Sequence, residues 1–157
     1  MKVKFIVVGK TDQDYLAEGI AVYESRLKNY VSFETLVIPA LKNAKNLPVE
    51  QQKIKEGKLI LKSIDTSDVL ILLDEKGAEY SSLDFSKFIQ QQMNSGIRTL
   101  VFVVGGPFGF SDEVYKRANK KLSLSKMTFS HQMVRLFFVE QLYRAMTILK
   151  GEKYHHS

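Results

Sequence analysis

The chain has 157 residues, 45% of them hydrophobic and 25% charged, with a formal net charge of +6 at pH 7. That length buries one sizeable core, and the absence of repeats or low-complexity tracts fits one soluble globular domain spanning 1–157. There is no cysteine, which excludes a disulfide scaffold and a thiolate metal site and fits a reducing, cytoplasmic setting.

The apolar run at 2–8 is too short for a signal peptide or a membrane span and reads as a first strand. A helix follows from near Thr11, where Leu16, Ile20, Tyr23 and Leu27 make one stripe. Residues 33–39, FETLVIP, form a short strand stopped by Pro39, and the lysine-rich stretch 40–50 reads as a mobile loop. A helix over 49–64 turns Ile54, Leu61 and Ile64 inward, and DVLILLD at 68–74 is apolar enough to be a strand buried on both faces. Ser81 caps a helix running to 94, with Asp84 three positions on. TLVFVV at 99–104 is a fourth buried strand, followed by a helix to about Asn119, a short strand at KLSLS and a long helix over 130–149. Strands separated by helices predict an α/β fold, with a parallel sheet sandwiched between helices.

The fourth strand runs into Gly105-Gly106-Pro107-Phe108-Gly109. Bare backbone at a strand end serves either a tight turn or a ligand cradle, because a glycine lets the main chain approach another molecule without a Cβ between them. Two familiar phosphate motifs do not fit. Gly9-Lys10-Thr11 lacks the glycine that a P-loop needs five residues before its second one, since position 4 is lysine, and the 105–109 loop lacks the G-x-G start of the dinucleotide fingerprint. The three histidines, His131, His155 and His156, have no metal-ligand spacing, so no metal is expected.

Charge is concentrated late in the chain. Residues 111–157 hold nine Lys or Arg against four Asp or Glu, while 1–110 hold fourteen against thirteen. Such a basic excess beside a glycine loop draws a phosphate backbone and favours a nucleic-acid partner. The last helix is apolar almost all round, which a central core helix or a homodimer would each explain.

SLSKMTFSHQMVRLFFVEQLYRA at 123–145, VVGGPFG at 103–109 and the ending GEKYHH together resemble the ribosomal large-subunit methyltransferase H family of small SPOUT-class enzymes. The resemblance runs from the VGK near the start to Tyr154-His155 and is thinnest at 40–60. It implies a C-terminal trefoil knot, which periodicity does not reveal and the rule against threaded loops would have argued against. It also implies S-adenosylmethionine as cofactor, a homodimer, and methylation of N3 of a pseudouridine in 23S ribosomal RNA, within the assembled ribosome. Carried over by residue, cofactor contacts fall at Leu73, Gly105, Leu124, Ser125, Lys126, Met127, Thr128 and Phe129. Leu73 and Leu124 would wall the purine, and peptide groups near Gly105 would pair with its edge. One departure stands out: Ser130 takes the place of the family's usual proline before the histidine, and serine is expected to cap the helix there.

The implied chemistry is an in-line displacement at a sulfonium methyl, so the protein has mainly to align the reacting atoms and ease loss of the N3 proton. His131 is either a base, kept unprotonated by the positive end of the helix dipole, or a structural pin of its loop. His155, placed by the tail with Tyr154, is the other catalytic candidate. Lys126, Arg135 and Arg144 are the candidate phosphate contacts, although Glu140 can instead tie Arg144 on the same helix face. A SPOUT enzyme acting on another RNA atom, such as a tRNA ribose, and a cofactor-free RNA-binding assembly factor are the alternatives.

Overall fold

The structure, a computed structural model, describes residues 1–156 and closes the predicted alternation into a five-stranded sheet whose strands all pair in parallel. The elements are β1 (Lys2–Val8), α1 (Asp14–Leu27), β2 (Ser32–Ile38), α2 (Val49–Lys62), β3 (Val69–Glu79), α3 (Ser82–Asn94), β4 (Thr99–Val104), α4 (Asp112–Arg117), β5 (Lys120–Ser123) and α5 (His131–Leu149). Strand order is β2-β1-β4-β3-β5. The loop after β2 contains a short 3-10 turn at Ala44–Asn46. No helix among the described residues is long and apolar enough to cross a membrane.

Successive side chains of a strand point to opposite faces, and here both faces are covered, which is why these strands read as unbroken apolar runs. Val3, Phe5 and Val7 of β1, Ile71 and Leu73 of β3, and Leu100, Phe102 and Val104 of β4 join one core with α1, α3 and α5. Ile6 and Val8, Leu70 and Leu72, and Val101 and Val103 join the other, with Ile60 of α2 and Val114 of α4. In the first core the Phe138 ring of α5 sits 4.8 Å from that of Phe5 and 4.7 Å from that of Phe102, so α5 is nailed to the middle of the sheet.

Helix starts follow local chemistry. Ser81 accepts from the Asp84 amide at 3.0 Å, and Ser130 accepts from the Met133 amide at 3.1 Å, so serine does cap α5. Helix α1 begins at Asp14, later than the apolar stripe suggests, because the Asp12 amide is held by Gln132 Oε1 at 3.0 Å instead of entering the helix. Ile54 corrects the reading of α2, being 45% exposed. The close contact falls at Gly57, where an added Cβ would come within 2.5 Å of Ser111 Oγ, so α2 meets the start of α4 through bare backbone and Ile54 rolls outward.

Strand β3 runs well past residue 74. Leu122 faces Leu73 and, after an irregularity, Ala78 as well, so residues 74–77 bow out of the sheet while β3 resumes beside β5. At Gly77 a Cβ would stand 2.6 Å from the Leu122 backbone nitrogen. Gly77→Ala is therefore expected to cost about 2 kcal/mol, within the range for overpacking, and to loosen β5 first; denaturant melts and amide exchange at residues 120–123 would report it.

Candidate functional site

At Leu73, where β3 bows, the strand pairs with both Val104 at the end of β4 and Leu122 near the end of β5. Open α/β sheets bind ligands at this edge. Here it carries a cleft of about 730 Å³ walled by three segments: the bowed residues 74–76 after Leu73, the glycine loop from Gly105 to Phe110, and residues 122–131 leading into α5.

Of the sequence-predicted cofactor residues, Leu73, Gly105, Leu124, Ser125, Met127, Thr128 and Phe129 all line this one cleft. Lys126 is exposed and does not. His131, the first residue of α5, lines it too. The walls are apolar at Leu73, Val104, Leu122, Leu124 and Val134, with polar groups at the rim, the usual composition of a small-molecule site. Two rim carboxylates are already engaged, Asp74 by the Tyr115 hydroxyl and Glu75 by Thr128 Oγ1 at 2.7 Å. Burial, helped by the Asp74 carboxylate, pushes the Tyr115 hydroxyl well above its ordinary range, so it stays a neutral donor.

The glycines of the loop do a double duty. A Cβ on Gly105 would touch the Phe110 ring at 3.0 Å, and one on Gly106 would meet the Glu56 carboxylate at 2.9 Å. Bare backbone is thus needed first so that Phe110 and Glu56 can seat the loop, and a tight turn is part of its purpose: the Gly109 amide donates to Gly106 O at 3.2 Å, with φ of 83° at Gly109. Burial raises the Glu56 carboxyl, while the Gly106 backbone draws it back down.

Arg135 requires a correction. Far from facing a polyanion, its side chain is 1% exposed and its guanidinium donates to Val8 O and Gly9 O, each at 2.8 Å, and to Thr11 Oγ1 at 3.2 Å. The Gly9-Lys10-Thr11 loop that imitated a P-loop is the acceptor side of this staple, and Gln132 doubles it through Lys10 O. Arg135 also acts on its neighbour: burial first, then the Arg135 charge, push His131 below its ordinary value of 6.5 against an opposing pull from Asp12. His131 is accordingly an unprotonated ring at neutral pH.

Tyr154, His155 and Arg144 lie elsewhere. Arg144 Nη2 pairs with Glu140 Oε1 at 2.6 Å, the same-face tie foreseen as an alternative, and Nη1 reaches His155 Nδ1 at 3.1 Å. Tyr154 donates to Glu140 at 3.2 Å and packs edge-on against Tyr143, with Arg144 over its ring. This cluster pins the tail between Glu140 and Arg144, about two and a half to three and a half turns along α5 from His131, about 14 to 20 Å at the helical rise of about 1.5 Å per residue. Within one chain, the tail does not reach the cleft. Most of the circumference of α5 is covered internally by α1 and α3, leaving Phe137, 37% exposed, beside Phe129 at the cleft end.

A family model described as "Predicted SPOUT methyltransferase" matches residues 1–155. The chain belongs to the SPOUT methyltransferase family. This SPOUT methyltransferase is 59% identical over 156 residues to a Christiangramia forsetii protein and 58% identical over the same length to one from Parabacteroides distasonis, each alignment covering 99% of both chains. Both relatives carry the name ribosomal RNA large subunit methyltransferase H. A crystal structure of a probable methyltransferase from Bordetella pertussis matches with a TM-score of 0.58 at 10% identity, covering 92% of this chain and 94% of that one, a likeness of fold alone.

Several residues of the SPOUT cleft carried no sequence signal. Tyr115 reaches it, and Glu56 seats its glycine loop, only through tertiary packing, whereas Asp74 and Glu75 were findable as the first charged residues after a buried strand. Two outcomes follow. Arg135→Met is expected to lose about 3 kcal/mol of stability by leaving buried carbonyls unpaired, while the salt dependence of RNA binding stays unchanged, because no phosphate contact is removed. Because the folded pKa of His131 lies below the unfolded one, the unfolded chain binds more protons as pH falls from 6.5 towards the folded value, and stability falls with it across that window. Melts between pH 5 and 8 should show a shallower acid loss for His131→Gln.

Proposed function

We propose that this SPOUT methyltransferase moves a methyl group from S-adenosylmethionine to N3 of a pseudouridine in 23S ribosomal RNA, on assembled ribosomes and as a homodimer. The observation that carries the reading is the convergence of Leu73, Gly105 and the 124–129 run on one cleft. The shared name of the relatives, at 52 to 59% identity over nearly the whole chain, supports the choice of ribosomal RNA.

The residues present suit that cofactor: apolar walls for a purine, exposed peptide groups for its edge, and carboxylates near a sulfonium. When bound, it supplies an already activated methyl carbon, so no metal is called for. Leu73, Gly105 and residues 124–129 would hold it, and it would supply the methyl carbon for N3 with the electron pair of the broken bond left on sulfur. The N3 proton leaves to an acceptor, for which the unprotonated His131 ring lining the cleft is the candidate. The C-terminal knot implied by the resemblance belongs to this reading, as the way the 124–130 loop and the glycine loop are held together.

The tail argues for the dimer. Tyr154 and His155 are ordered by Arg144 and Glu140 yet stand about 14 to 20 Å along the helix from His131, so a second copy must present them if they touch substrate. Exposed Phe137, packed on half-buried Phe129 of the cleft wall, offers apolar surface for that copy. Localisation to the cytoplasm follows from a ribosomal substrate.

Calorimetry should detect S-adenosylmethionine binding that Gly105→Val abolishes, and mass mapping of treated ribosomes should find N3-methylpseudouridine; a methylated ribose would refute the base assignment. Equal mixing of Gly105→Val and His155→Ala subunits is expected to restore about a quarter of wild-type activity, because half the dimers carry one complete site. No recovery would mean the tail does not act across subunits.

A further inference from the structure

Phe108 is half out in water, 50% exposed, on the lip of the cleft. A flexible loop would fold such a ring away; this loop cannot. Gly106 and Gly109 close a hydrogen-bonded turn, Pro107 presets its first central position, and Phe108 occupies the second. Two residues on, Phe110 is buried under Gly105 and edge-on to Tyr115, with centroids 5.7 Å apart, which roots the turn in the fold. The turn therefore holds the backbone of Phe108 at the lip, with its ring half in solvent and outside both cores.

The surroundings say what covers it. Lys53 and Lys76 line the same cleft, and Lys121 Nζ stands 5.6 Å above the Tyr115 ring. Among the described residues neither Lys76 nor Lys121 forms an ion pair, while the nearby Asp74 and Glu75 are tied by hydroxyls. Lys53 is paired with Glu50 at 3.3 Å, so the free ammonium groups near the aromatic lip are Lys76 in the cleft and Lys121 at Tyr115. An aromatic face beside such groups fits a flat π-system attached to phosphates. The adenine of a methyl donor would instead lie deeper, against Gly105 and residues 124–129.

We propose that Phe108 is a stacking platform for an unpaired RNA base beside the target nucleotide, making it a substrate-positioning residue of the lip. This rests on the cleft being an RNA-methylation site. Stacking on a phenyl ring is tolerant of base identity, so Phe108 adds affinity and orientation for an opened strand more than sequence choice.

The chain has no tryptophan, so Phe108→Trp installs a single fluorophore at the lip. Titration with a single-stranded oligouridylate should quench it saturably, while inorganic polyphosphate and S-adenosylhomocysteine leave it unchanged. No quenching by the oligonucleotide, or quenching by S-adenosylhomocysteine alone, overturns the proposal. In turnover, Phe108→Ala should raise KM for ribosomes about 5- to 150-fold, the span of one lost base stack, with cofactor affinity unchanged; Phe108→Tyr should restore it and Phe108→Leu should not. An unaltered KM for Phe108→Ala or Phe108→Leu also overturns it. Should wild-type protein methylate no ribosome, the activity reading fails by itself, and the fluorescence titration still decides Phe108.

Discussion

The cleft depends on one buried cation. Arg135 carries its charge into the protein and spends it on main-chain carbonyls at the end of β1, a costly arrangement that works because Val8 O, Gly9 O and Thr11 Oγ1 all face it. The guanidinium fork fits several acceptors at once, as an ammonium would not. This fixes the first turn of α5 against the sheet edge, and with it the position of His131 and of the loop that precedes it. Burial is the main cause that keeps the His131 ring unprotonated, and the Arg135 charge adds to it, so the anchor contributes to acid–base character as well as to position.

Around that anchor the three walls are built by different means. The glycine loop is seated by packing, with Phe110 and Glu56 occupying the space that side chains at 105 and 106 would need. The bowed segment 74–77 is held by pairing on both sides of it, at Leu73 and at Ala78, and by the Tyr115 and Thr128 hydroxyls on its carboxylates. The 124–130 wall is held by small polar bonds, Ser123 Oγ to Ser125 O at 2.8 Å and the Met127 amide to Ser125 Oγ at 3.0 Å, before Ser130 caps α5. The Met127 side chain in that wall is 75% exposed.

How much of this was legible beforehand differs by element. Every strand and helix was readable, because double-sided burial writes continuous apolar runs and helices write 3.6-residue stripes. The continuation of β3 to Glu79 was not, since Asp74-Glu75-Lys76-Gly77 has no period and pairs only after an irregular step. Ile54 misled because a hydrophobicity stripe takes no account of a glycine contact one turn away. The cleft residues were legible through resemblance, not through spacing: three segments far apart in sequence meet only after the sheet orders its strands. Arg135 was misread because charge on a late helix looks the same in a sequence whether it faces water or a row of carbonyls.

Strand β5 is an edge, four residues long and bonded on one flank only, yet it delivers an entire wall of the cleft. Edges of this kind open at lower free energy than central strands. A molecule that bridges the glycine loop and the segment after β5 would fasten that edge to the interior of the sheet. At a hundredfold excess over its dissociation constant it would add about 2.7 kcal/mol to the folded state. Occupancy and integrity of the margin are thus one equilibrium seen from two sides: the protein is most completely assembled while it is at work.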